Sequence, residues 1–160
     1  MKLALLFAAP ILIALASSAM GQSAESAKKE VMELGSKWEA AVNNRTSADA
    51  AAKTIAAFFT DDAVLNLSTS PTVGKTEIEK LYSTLIEKND PSEVAIKVTD
   101  VQAAGNLAWA YGTTSEKLHG KPINIFWGAV YESSDGGPYK IKMLTGGTQS
   151  LVPPQESSSK

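Results

Sequence analysis

No cysteine occurs anywhere in the 160 residues. That absence excludes disulfides, thiolate metal sites and a cysteine nucleophile, so any folded domain here rests on its core alone. Histidine is nearly missing as well. His119 is the single copy, in Leu118-His119-Gly120-Lys121-Pro122, which has the composition of an exposed hairpin tip. A metal site or a Ser-His-Asp arrangement needs partners that this chain lacks or scatters, so neither metal nor cofactor is expected. Clustered Lys and Arg are also absent. With 15 basic against 17 acidic residues and a formal charge of −2, the chain offers no basic surface of the kind nucleic acid requires. There is no internal repeat and no composition shift that would mark a second folded domain.

One long apolar run is present, at the start. Lys2 precedes an apolar stretch from Leu3 to Ala16, and Ser17-Ser18-Ala19-Met20-Gly21 follows with mostly small residues. This is the build of a secretory signal peptide over residues 1–21, cleaved after Ala19 or Gly21. The alternative, a retained anchor, needs roughly 20 apolar residues to cross the hydrocarbon, and Pro10 weakens this shorter run as a helix. The expectation is an exported protein, periplasmic or secreted, with no membrane association after cleavage. Loss of Lys2 takes the formal charge from −2 to −3.

The rest falls into helices in front and strands behind. Val31, Leu34, Trp38 and Ala41-Val42 recur at three- and four-residue spacing and predict a helix over Ala24–Asn43. A second helix is expected from Ala48 to Phe59, capped by Ser47 and stopped by Asp61-Asp62. Ala63 to Leu67 reads as a short strand and Ser68 to Gly74 as a loop. Thr76-x-x-Glu79 has the form of a capping box opening a third helix, with Ile78, Leu81, Tyr82 and Leu85 inward and Asn89-Asp90-Pro91 at its end. From Ser92 the period drops to two. Strands are expected around Val94–Val101 with a bulge near Thr99, then over Leu107–Lys117, Ile123–Glu132 and Tyr139–Thr145. Asp135-Gly136-Gly137 is a hairpin signal. Residues 148–160 read as a polar tail. The fold class is α+β, three N-terminal helices packed on one face of a curved antiparallel sheet, in one domain over residues 22–147.

Several motifs imitate chemistry. Asp61-Asp62 looks like a carboxylate pair, but adjacent residues at an element boundary point apart, and a stop signal with local hydrogen bonding explains them better. Gly74-Lys75-Thr76 resembles the end of a phosphate loop, yet Thr69 stands where that loop needs its opening glycine. More informative is the strand in which Leu107, Trp109 and Tyr111 alternate with Ala108, Ala110 and Gly112. One face is bulky and the other nearly bare. Alternation alone leaves open which face looks inward.

Five stretches together resemble one family. They are Trp38-Glu39-Ala40-Ala41, then Phe58-Phe59-Thr60-Asp61-Asp62-Ala63-Val64, then Gly74-Lys75-x-x-Ile78. Gly105-Asn106-Leu107-Ala108 with Gly112 and Asp135-Gly136-Gly137-x-Tyr139-Lys140-Ile141 complete the set. In this order they resemble the nuclear transport factor 2-like superfamily, in its SnoaL-like and ketosteroid-isomerase-like branches. The resemblance implies a cone of helices closing over a curled sheet, a cavity inside, and a homodimer through the sheet's outer face. Ketosteroid isomerases use an Asp base, with a Tyr and a protonated Asp as oxyanion donors. Laid along this chain, the Tyr falls on Trp38, the base on Leu67 or Asn66, and the protonated Asp near Trp127. None of these positions keeps its chemistry, so the resemblance implies the fold without that mechanism.

The expected function is therefore binding of a small apolar or amphipathic molecule in a cavity with an aromatic wall. The candidate ligand-binding residues are Trp38, Asn66, Tyr82, Trp109, Tyr111 and Trp127, with no catalytic residue assigned. The alternatives are a lyase, isomerase or cyclase polarising a carbonyl through Asn66, Tyr82 or Tyr111, and a structural dimerisation domain with a filled core.

Overall fold

The computed structural model describes residues 24–67 and 70–148. The expected signal peptide and the tail beyond residue 148 lie outside the described residues. Three helices and six strands follow in the order α1 (Ala24–Asn43), α2 (Ala48–Ala56), β1 (Phe59–Asn66), β2 (Thr72–Val73), α3 (Lys75–Asn89), β3 (Pro91–Ala104), β4 (Leu107–Leu118), β5 (Lys121–Ser133) and β6 (Tyr139–Thr148). The strands form one curved, unclosed sheet in the order β2-β1-β6-β5-β4-β3. Among the described residues no helix is long and apolar enough to cross a membrane.

The stripe read from spacing meets the core in α1, whereas in α3 the buried residues are Ile78, Tyr82 and Ile86, the last outside the expected set. Ala27, Val31 and Val42 of α1 are buried, and Leu34, Trp38 and Ala41 pack against them. Ser47 caps α2 as expected, its hydroxyl oxygen accepting from the Ala50 N–H at 3.1 Å. The helix ends at Ala56, however, three residues before the expected boundary. Phe59 already begins β1, where Ile141 N–H donates to Phe58 O at 2.8 Å. Asp61-Asp62 therefore lies inside a strand and stops no helix. The two carboxylates do part ways: Asp62 accepts from Lys142 Nζ at 2.6 and 2.7 Å, and Asp61 sits 3.7 Å from Lys75 Nζ. Bonds from Lys142 and then Thr60 hold the Asp62 carboxyl below its ordinary range.

Three further local expectations are corrected. The stretch read as a loop from Ser68 to Gly74 contains β2, whose Val73 and Thr72 pair with Val64 and Leu65. Helix α3 opens two residues early, with Gly74 and not Thr76 as its N-cap, at φ 92°, and no side chain caps it. Thr76 thus stands inside the first turn and makes no capping box. Only glycine adopts that φ without strain, and backbone sterics chose the boundary over the side-chain motif. In β6 the alternation Tyr139, Ile141, Met143 breaks: Tyr139, Ile141 and Leu144 are buried while Met143 is 44% exposed. A register shift against β5 between Val130 and Tyr131 accounts for the slip.

Strands β3 to β6 are antiparallel throughout, and the bulge expected near Thr99 is present between Val98 and Asp100. The remaining long pairing is parallel. Strand β1 runs alongside β6, with Val64, Leu65 and Asn66 opposite Met143, Leu144 and Thr145. The sheet is thus mixed, with helices on its concave face as the fold class requires.

Helix α1 also serves as a substitute partner for the sheet edge. Strand β3 is the last in the order, and a bare edge leaves backbone groups unpaired. Asn43 Nδ2 donates to Val94 O at 2.8 Å, and Val94 N–H donates back to Asn43 Oδ1 at 2.9 Å. One helical turn earlier, Glu39 Oε1 accepts from Ile96 N–H at 2.5 Å. Two side chains four apart on a helix therefore match two N–H groups two apart on a strand. At the other end of α1, Glu30 Oε2 accepts from Tyr139 N–H at 3.1 Å. These tethers fix how far the helix stands from the sheet, and that distance sets the interior space.

Candidate functional site

Between the helices and the concave face lies a cavity of about 380 Å³. Its roof comes from Val31, Gly35, Trp38 and Val42 of α1, Ile55 of α2, and Tyr82, Leu85, Ile86 and Asn89 of α3. Its floor is the inner face of β3 to β6, where Val, Ile and Leu make up half of the lining. Every second residue of a strand shares a face, so inward residues can be followed by parity. On β4 the inward set is Ala108, Ala110, Gly112, Thr114, Glu116 and Leu118. The bare face of that strand is therefore the inner one.

Gly112 shapes the floor. A Cβ built there would lie 2.0 Å from Lys97 O and 2.7 Å from Trp127 Cζ2. Strand β3 and the indole of Trp127 both press against the space a side chain would fill. Trp127 thereby lies across β4 and lines the cavity, and its Nε1 is buried with no hydrogen-bond partner among the described residues. An unpaired buried donor costs about 1–3 kcal/mol, so an acceptor reaching it is favoured.

The six candidate residues divide in two. Trp38, Tyr82 and Trp127 line the cavity. Trp38 and Tyr82 meet edge to face, ring centroids 5.2 Å apart at 84°, so they touch each other directly and do not stand on opposite walls. Phe58 and Phe59 flank the pair, Trp38 being 6.3 and 6.0 Å from them between centroids. The other three are placed elsewhere. Trp109 and Tyr111 are 47% and 53% exposed on the outer face, and Asn66 is exposed at the end of β1. The physical reason is parity: Leu107, Trp109 and Tyr111 sit opposite the buried Ala108 and Ala110. Asn66 alternates likewise with Leu65 and Leu67. Of the two residues offered for the isomerase base position, Leu67 lines the cavity and Asn66 does not. Trp38, Leu67 and Trp127 thus all face the interior, carrying indoles and an isobutyl group.

Sequence reasoning missed Glu116. It is the one charged side chain among the described residues lining the cavity. Burial pushes its carboxyl above the ordinary glutamate range. Burial also pushes the Tyr82 phenol up, and the Glu116 charge adds to that, so Tyr82 remains a neutral hydroxyl at any physiological pH. The signal for Glu116 was available: it shares parity with Ala108, Ala110 and Gly112, and was hidden only while the inward face was undecided. Thr114 and Asn89 are further polar lining groups. Among the described residues no group of His, Cys, Asp and Glu could hold a metal ion.

The outer face of the sheet is the second notable surface. Leu107, Trp109, Tyr111, Phe126 and Met143 are each 41–53% exposed. Pairing places Trp109 beside Val130 and Val130 beside Met143, while Thr113 pairs with Phe126. The result is a continuous apolar patch across β4, β5 and β6 of the kind that marks interaction surfaces.

Comparison with known proteins agrees with this architecture. A family model described as the SnoaL-like domain matches residues 37–141. No curated protein sequence matches the chain. Among solved structures, a ketosteroid isomerase-like protein from Erwinia carotovora atroseptica superposes with a TM-score of 0.64 at 18% identity, covering 79% of this chain and 96% of that one. An NTF-2 like protein of unknown function from Shewanella oneidensis gives 0.64 at 13%, covering 75% and 98%. An epoxide hydrolase of M. tuberculosis, described as LEH-like, gives 0.52 at 17%, covering 75% and 83%. At these identities the structures speak for the fold alone. With the family match spanning α1 to β6, the chain belongs to the SnoaL-like domain family and has the NTF2-like, ketosteroid isomerase-like fold.

Proposed function

We propose that this protein is an exported small-molecule-binding domain whose cavity holds an apolar or amphipathic ligand. The observation that carries the reading is the cavity itself: about 380 Å³, walled by aliphatic and aromatic side chains with a few polar groups. Ligand sites of small molecules have this size and this composition. Trp38, Tyr82 and Trp127 supply apolar area together with N–H and O–H groups, which suits a hydrocarbon body bearing an oxygen or nitrogen. A filled structural core has no such space. Export rests on Lys2 and the apolar run behind it, and N-terminal sequencing of the exported fraction should begin at Met20 or Gln22.

The enzymatic alternative, carbonyl polarisation through Asn66, Tyr82 or Tyr111, retains only Tyr82 inside the cavity. The names of the ketosteroid isomerase-like and epoxide hydrolase neighbours keep small-molecule chemistry in view for the fold. The deciding experiment is native mass spectrometry of protein purified without denaturation. A copurifying small molecule, lost on unfolding, is expected. A bare chain mass, together with no uptake of any apolar probe, would overturn the reading.

A further inference from the structure

Glu116 stands out against the other carboxylates of the chain. Asp62 binds Lys142, Glu93 binds Lys117 at 2.6 Å, and Asp90 binds Arg45. Glu39 and Glu30 hold backbone N–H groups. Each of these has a structural use. Glu116 has neither an ion pair nor a hydrogen bond among the described residues, and it points from the inner face of β4 into an apolar cavity. Its inward neighbours along the strand are Thr114 and Leu118, and its cross-strand partner is Ile123. A half-buried, unpaired carboxyl in an apolar lining works against stability.

We propose that the cavity is a site for a protonated amine on an apolar body, its ammonium group paired with the Glu116 carboxylate. The inference rests on the reading that the cavity is a ligand site, and it specifies the ligand's charge. Three observations carry it. Among the described residues the lining holds no Lys, Arg or His, so an anionic ligand meets no counter-charge there and is repelled by Glu116. A neutral ligand leaves the carboxylate desolvated and unpaired, but a cation restores what burial removed. Aromatic rings complete the environment: the Tyr82 phenol lies close enough to feel the Glu116 charge, and Trp38 contacts Tyr82 edge to face. Ammonium groups are attracted to such π faces.

Trp127, whose indole lies over Gly112, lines the same cavity as Glu116, so an amine held at Glu116 has its body against the aliphatic and aromatic lining. Among the described residues the other titratable groups lining the cavity are Tyr82 and Tyr131, both pushed up by burial and therefore neutral. Lys117, next to Glu116 in sequence, has the opposite parity and is taken up by Glu93.

The test uses three matched probes, 4-phenylbutylamine, 4-phenylbutan-1-ol and 4-phenylbutyrate, titrated calorimetrically at neutral pH against the folded protein. The amine is expected to bind at least tenfold more tightly than the alcohol, with the carboxylate weakest. In Glu116→Gln the amine should lose at least tenfold while the alcohol stays within twofold. That unchanged alcohol affinity also shows that the variant's cavity is intact. Glu116→Leu serves as a second variant with the same expectation. Equal binding of amine and alcohol, or an amine preference that survives both substitutions, overturns the amine assignment and leaves the ligand site standing. Preferred binding of the carboxylate overturns it with the opposite charge. Failure of all three probes at millimolar concentration overturns the amine assignment, and the ligand site itself then stands or falls with the native mass spectrometry.

Discussion

Substituting alanine at Gly112 tests how the cavity floor is built. The added Cβ would lie 2.0 Å from Lys97 O and 2.7 Å from Trp127 Cζ2, both far inside ordinary contact. The indole can turn, at the cost of intruding on the cavity. The carbonyl cannot move without opening the β3–β4 ladder where Lys97 pairs with Thr113 and Val98 with Gly112. Overpacking costs about 1–3 kcal/mol, and one or two weakened ladder bonds add about 1 kcal/mol each. The expected loss is about 2–5 kcal/mol, a large part of a total that is about 5–15 kcal/mol for ordinary domains. At about 4 °C per kcal/mol the midpoint should fall by about 8–20 °C. Gly128→Ala is the control. It lies in the adjacent strand on the opposite face, with its nearest neighbours at 3.8 and 4.0 Å, and should change stability by less than about 0.5 kcal/mol. Thermal and urea denaturation of parent, Gly112→Ala, Gly128→Ala and the double variant Gly112→Ala/Trp127→Phe decide the matter. The double variant should recover only a minor part, because the nearer clash is with backbone. If the two alanine variants unfold together, the close approach of β3 and Trp127 over Gly112 is not what forms the floor.

The tether between α1 and the sheet edge predicts that Asn43→Ala, which strips partners from Val94 N–H and Val94 O, costs about 1–3 kcal/mol in the same assay. An unchanged midpoint would show that solvent satisfies that edge equally well. The apolar outer patch predicts a homodimer: light scattering at micromolar concentration should give twice the chain mass, and Trp109→Lys/Tyr111→Lys the single mass. A parent that is monomeric at every concentration rejects the interface. Glu116 predicts a pH slope. Its folded carboxyl holds the proton to higher pH than in the unfolded chain, so the stability it contributes is complete below the ordinary glutamate value of about 4.3 and is lost as pH rises through the folded value. Thermal melts of parent and Glu116→Gln should therefore diverge as pH rises, the variant becoming the more stable, and parallel curves would contradict the burial of that carboxyl.

Local order was legible in the sequence because its causes are local. The stripe Val31, Leu34, Trp38 repeats with the helical period, Ser47 stands one residue before a helix, and the phase slip near Thr99 interrupts a two-residue alternation. Each follows from residues within one or two turns of each other. The helix-then-strand order and the five family stretches were equally plain, and they carried the fold class. Where a local side-chain signal met a backbone constraint, the sequence pointed to the wrong residue: Thr76-x-x-Glu79 offered a start to α3, and the positive φ of Gly74 set it earlier.

The site itself depended on long-range packing. An alternating strand has the same pattern whichever face is inward, and only the helical layer chooses. That layer lies over Ala108, Ala110 and Gly112, which sends Trp109 and Tyr111 outward and brings Glu116 inside with no local mark to announce it. The parallel pairing of β1 with β6 joins segments that are far apart in sequence, so no turn signal between them could reveal it. The sequence by itself determined the elements, their amphipathic faces and the family. Tertiary structure alone decided which sheet face encloses the cavity, because that choice belongs to contacts between layers and not to any one strand.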